Sequence, residues 1–126
     1  MRAAICLIVT FFVLSACYSA GTGASGDSNR QMLTQEEFGS ASFRTAYAAV
    51  ESLRPRWLRS RGSGSFRGSS QVQVYFNDSR LGGVAQLRNI PISSVSSMQF
   101  IDGNTASARW GLNHEDGVIY VLSIDS

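Results

Sequence analysis

Val72-Gln73-Val74-Tyr75-Phe76-Asn77-Asp78 and Val118-Ile119-Tyr120-Val121-Leu122 are the stretches that decide the fold. In the first, Val72, Val74 and Phe76 alternate with Gln71, Gln73 and Tyr75, the period-two pattern of a strand with one buried face, and Asn77-Asp78 is a turn signal. The second is nearly all apolar and continues to Ile124, which suits a central strand covered on both faces. A third strand is expected over Met98-Gln99-Phe100-Ile101, closed by Asp102-Gly103-Asn104. Short helical turns fit residues 93–96 and 105–110.

Upstream, Leu33-Thr34-Gln35-Glu36-Glu37 carries a capping-box pattern, with Thr34 as cap and Glu37 reaching back, so a helix should start there. It is expected to break at Gly39 and restart near Ser42. Phe43, Tyr47 and Val50 then fall on one stripe, widened by Ala46 and Leu53, and Pro55 ends the helix. The fold class is therefore α+β, a small domain over residues 32–126 with a mixed sheet and short helices.

These segments, with Leu87-Arg88-Asn89-Ile90-Pro91, Val95-Ser96-Ser97-Met98, Ala108-Arg109-Trp110-Gly111 and Gly117-Val118-Ile119, resemble the plug domain of TonB-dependent outer-membrane receptors. The resemblance implies strand, acidic turn, Ile-Pro, short helix, strand ending in glycine, helical turn ending in aromatic-Gly, and a last strand. Independently of it, Gly103 and Gly111 are expected at strand and helix ends where positive φ is cheap, and Gly117 where backbones approach closely. The chain departs from the family at Asn77-Asp78, where Asp-Gly is usual, at Asn104 after Gly103, and at His114-Glu115-Asp116 before Gly117. About 90 folded residues with three clear strands cannot supply the family's barrel, so transport by this chain alone is not expected.

The first residues read as an address. Met1-Arg2 is a short positive region, and residues 3–14 form an apolar run too short to span a bilayer as a helix. Leu14-Ser15-Ala16-Cys17 resembles the lipobox of bacterial lipoproteins, which implies a signal peptide over 1–16 and a lipid-modified Cys17 as the mature N-terminus. An ordinary signal peptide is the alternative. Residue 18 is Tyr, not the Asp of the inner-membrane retention signal, so the expected location is the outer membrane, with the domain in the periplasm. Residues 17–31, rich in Gly and Ser, read as a flexible tether.

Composition narrows function. The 126 residues include 11 basic side chains, all arginine, and the only cysteines are Cys6 and Cys17. Lysine-dependent chemistry, a disulfide framework and a four-ligand Cys/His zinc site are thereby excluded. A net charge of +2 gives no reason to expect nucleic acid. No cofactor is expected: Gly62-Ser63-Gly64-Ser65-Phe66-Arg67-Gly68 has Arg67 where a dinucleotide fingerprint needs its third glycine, and it precedes a strand.

Two groups are candidate sites. Arg54, Arg56, Arg59, Arg61 and Arg67 surround Trp57 and read either as a phosphate- or acidic-partner contact or as a solvated face paired to Glu51 or Glu36. His114, beside Glu115 and Asp116, lacks the second histidine or thiol a metal site would need. The leading expectation is a lipid-anchored, non-enzymatic binding or accessory module that contacts an envelope protein, such as a receptor barrel, or a small ligand. Exposed loops around 60–70, 78–86 and 111–117 would make the contact. A passive envelope lipoprotein or receptor remnant is the alternative, and a hydrolase using His114 the least favoured.

Overall fold

The computed structural model describes residues 30–60 and 71–125. The expected signal peptide, Cys17, most of the tether, the 62–68 loop, Arg61 and Arg67 lie outside the described residues. The elements are β1 (Met32–Thr34), α1 (Gln35–Gly39), α2 (Ala46–Leu53), β2 (Gln73–Phe76), β3 (Ser79–Gly83), β4 (Val95–Ile101), α3 (Gly103–Trp110) and β5 (Val118–Ser123). Single 3₁₀ segments at Pro55–Leu58, Val84–Asn89 and Ile92–Ser94 link them. The strands form one sheet in the order β1-β4-β5-β2-β3, in which β2 runs parallel to β5 and all other neighbours are antiparallel. This is a small α+β domain with a mixed sheet, and the apolar run at 118–123 is its central strand.

Local chemistry explains most boundaries. Glu37 accepts the Thr34 N–H at 3.1 Å, the backward half of the capping box, and α1 closes at Gly39. The next helix begins at Ala46, not near Ser42. The Thr45 hydroxyl caps it by accepting from Ala48 N–H (3.3 Å), and Thr45 is held extended by a bridge to Pro91. Its buried stripe is consequently Ala46, Ala49 and Val50, while Phe43 and Tyr47 pack only at the margin. Pro55 ends α2 as expected, with Arg54 already out of helical conformation at φ −140°.

Asn77-Asp78 forms a two-residue hairpin turn joining β2 to β3. Asn77 sits at φ +51°, a conformation asparagine tolerates better than most residues. Its side chain also accepts from Ser123 N–H (3.0 Å) and donates to Ser123 Oγ (3.2 Å), tying the turn to the end of β5. The segment expected as an exposed loop at 78–86 is corrected by this hairpin: 79–83 is the edge strand β3. Ser-Arg-Leu-Gly-Gly lacks apolar alternation, and pairing with β2 makes it a strand, with a register shift opposite Val74 and Tyr75.

One sheet face packs under α2 and the Pro55–Leu58 turn. Leu33, Val74, Met98, Ile119 and Val121 are fully buried there beside Val50, Leu87 and Val95, and Trp57 stacks on Phe100 at 6.0 Å. The other face holds a smaller cluster of Tyr75, Ile101, Val118 and Ala106 under α3. Two glycines hold the chain segments around this second cluster. Gly117 lies at φ +97°, and a Cβ there would stand 2.6 Å from the Phe100 ring and 2.7 Å from the Ile101 carbonyl oxygen. Gly103 does not have the positive φ expected of it; it is needed because a Cβ would lie 1.9 Å from the Glu115 carbonyl oxygen. Among the described residues no helix is long and apolar enough to cross a membrane.

Candidate interaction face

Register places Met32, Gln99, Tyr120, Tyr75 and Arg80 opposite one another across the five strands, so they share one face of the sheet. This is the face that α3 crosses. The helix is short because Asp102 caps one end and Gly111, at φ +88°, closes the other. Asp102 accepts from the backbone N–H groups of Asn104 and Thr105 (both 3.1 Å) and from the Thr105 hydroxyl (2.7 Å). The Thr105 hydroxyl leads these donors in holding the carboxyl below its ordinary 3.8.

Eight residues cover only part of the face. Trp110 stacks on Tyr75 with centroids 4.7 Å apart and reaches Tyr120 at 6.1 Å. The Arg109 guanidinium lies over both rings, 4.6 Å from the Trp110 centroid and 5.4 Å from that of Tyr120. Tyr120 donates to Asp78 Oδ1 (3.0 Å). Burial, with that bond and the Asp78 charge, pushes its phenol above 10.0, while Arg109 opposes the rise. Tyr75 is buried, Trp110 and Tyr120 are half-buried, and Met32 at the far edge is 42% exposed. Gln31, Gln99, Asp102, Thr105 and Arg109 line an open groove of about 280 Å³ beside the aromatic group.

His114 belongs to this face as a strut. It is buried against Tyr75, whose hydroxyl bonds to Nε2 at 2.9 Å, while Nδ1 meets the Gly111 carbonyl oxygen at 2.9 Å. A carbonyl can only accept, so Nδ1 donates to Gly111, and in the neutral ring Nε2 is left to accept from the Tyr75 hydroxyl. Asp116 points elsewhere and accepts from Ser60 Oγ, and Glu115 between them is exposed. The three adjacent side chains thus diverge. Among the described residues no group of three or more His, Cys, Asp or Glu could hold a metal ion.

The arginine cluster splits in the same way. Arg54 is paired with Glu37 at 2.9 Å, an acid other than the Glu51 or Glu36 expected, and also donates to the Leu53 carbonyl. Arg56 and Arg59 are exposed, and Trp57 between them is core. The aromatic–arginine group went unrecognised in sequence because Tyr75, Arg109, Trp110 and Tyr120 come from three separate elements. Only the pair Arg109-Trp110 carried a local signal. No family model, curated protein or solved structure matches the chain.

Proposed function

We propose that this chain is a lipid-anchored, non-catalytic module of the cell envelope, attached through Cys17 with its plug-like domain in the periplasm, acting by contact through the α3 face of its sheet. The observation that carries the reading is that face: Trp110, Tyr120 and Arg109 lie stacked and partly exposed above a buried base of Tyr75 and Val118. Tryptophan, tyrosine and arginine are the residue types that dominate the energetics of contact surfaces, because each joins a large rigid apolar area to a polar handle. His114 supports contact over hydrolysis, since both its ring nitrogens are engaged internally by Tyr75 and Gly111.

The lipobox-like Leu14-Ser15-Ala16-Cys17 supports the anchor. Burying an acyl chain contributes about 0.8 kcal/mol per methylene, and two chains hold a protein stably on a membrane. Two measurements test the proposal. Labelled palmitate should enter the wild-type chain and not Cys17→Ala; label retained in that variant removes the anchor. A photo-crosslinker at position 109 in intact cells should give a reproducible adduct that one on α2 at Glu51 does not, and equal yields from both positions remove the face.

A further inference from the structure

We infer that the α3 face seats the domain directly on the phospholipid headgroups, so that its contact partner is the membrane surface itself; this rests on the anchored reading above. Leu112 is 81% exposed, the most exposed large apolar side chain described, and it lies between Trp110 and His114, which both pack against Tyr75. The loop carrying it therefore hangs from the α3 face. Met32 adds a second exposed apolar side chain on that face. Apolar tips beside half-buried Trp and Tyr, with a guanidinium among them, match the layered chemistry of a bilayer interface. Alkyl groups enter the acyl boundary, amphipathic rings sit at headgroup depth, and arginine forks onto phosphodiester oxygens. Of the carboxylates near this group, Asp78 accepts from the Tyr120 hydroxyl and Asp102 caps α3, while Glu115 is exposed in the loop after Leu112.

The path of the chain selects this occupant. Gln31 lines the same groove as Arg109, and Met32 lies on the same face, so the polypeptide coming from Cys17 joins the domain on its α3 side. The 13 residue steps from Cys17 to Arg30 span at most ~45 Å when fully extended. That reach brings the face to the bilayer without forcing it there, so seating is measurable separately from anchoring.

The test uses the chain as isolated from cells, bound to vesicles of phosphatidylethanolamine and phosphatidylglycerol whose acyl chains carry bromine. Trp110 emission should be quenched on the vesicles and Trp57 emission should not, because Trp57 is buried under the opposite face. Trp110→Phe should abolish the quenching, and Leu112→Ser or Arg109→Gln should reduce it about two- to threefold. Vesicle-bound chain with unquenched Trp110, or quenching indifferent to Leu112 and Arg109, overturns the seating and leaves the anchor standing. Cys17→Ala that still shows Trp110 quenching supports the seating without the anchor, whose own test is the palmitate labelling. A chain that fails to float at all removes both.

Discussion

On the α2 side the sheet presents Leu33, Val74, Met98, Ile119 and Val121, all fully buried; on the α3 side it buries Gln73, Tyr75, Ile101 and Val118 at the centre but leaves Met32, Gln99, Tyr120 and Arg80 half-buried or exposed. The first set is aliphatic and closed over by α2 and three 3₁₀ segments. The second mixes aromatic and polar side chains with the smaller buried patch of Ile101 and Val118, and a single eight-residue helix covers one part of it. Strand alternation alone produces this contrast, since a period of two sends successive side chains to opposite faces. Stability and recognition can thereby be divided between two sides of one sheet. The aliphatic side supplies most of the burial, and the aromatic side keeps open the surface that the proposed contact would use.

That division can be broken by substitution. Ile119→Ala, on the closed face, should cost about 3 kcal/mol in denaturant unfolding, because the site cannot collapse around the void. Trp110→Ala, on the open face, should cost about 2 kcal/mol, since half-burial removes less contact with the ring. If Trp110→Ala costs as much as Ile119→Ala, the two faces are equally structural and the contrast fails. Tyr75→Phe keeps the stacking and deletes the hydroxyl to His114, for an expected loss of about 1 kcal/mol, read in the same way.

Asp102→Ala should cost about 1 kcal/mol at neutral pH through loss of the α3 cap. The folded carboxyl is held below 3.8, so its stabilisation is present above the unfolded value and is lost as pH falls through the folded one. Wild type and Asp102→Ala should therefore converge in stability well below pH 3.8, and a constant gap would show that the capping charge is not the cause. Leu112→Ser should change stability by less than about 0.5 kcal/mol, because the side chain is already in solvent. A larger loss would make Leu112 part of the core and weaken the assignment of its loop to contact.

The legible parts of the fold were those whose signal lies within a few residues. The alternation at 72–76, the apolar run at 118–122, the Thr34–Glu37 cap, Pro55 and the Asn77-Asp78 turn each predict an element or boundary that the chain adopts. β1 and β3 were not legible. Three residues of β1 and the Ser-Arg-Leu-Gly-Gly of β3 have no periodicity of their own and become strands by pairing with β4 and β2. α2 starts later than its stripe predicts: Phe43 matches the helical period, but the bridge from Thr45 to Pro91, 46 positions away, keeps the backbone extended. In the arginine cluster, proximity in sequence to Trp57 suggested a shared surface, whereas Trp57 turns inward and Arg54 is taken up by Glu37.

Read alone, the amino-acid sequence determined the α+β class and the central strand, because composition and short-range periodicity act within single elements. It also carried the lipobox-like Cys17 motif on which the proposed anchor rests. Only the tertiary structure decided which side chains share a surface. Arg109 over Trp110 and Tyr120, Tyr75 against His114, and Gly103 under Glu115 join residues from separate elements. Such contacts depend on strand register and on where a short helix lies across the sheet. Both are set by the packing of the whole domain, and no local pattern encodes them.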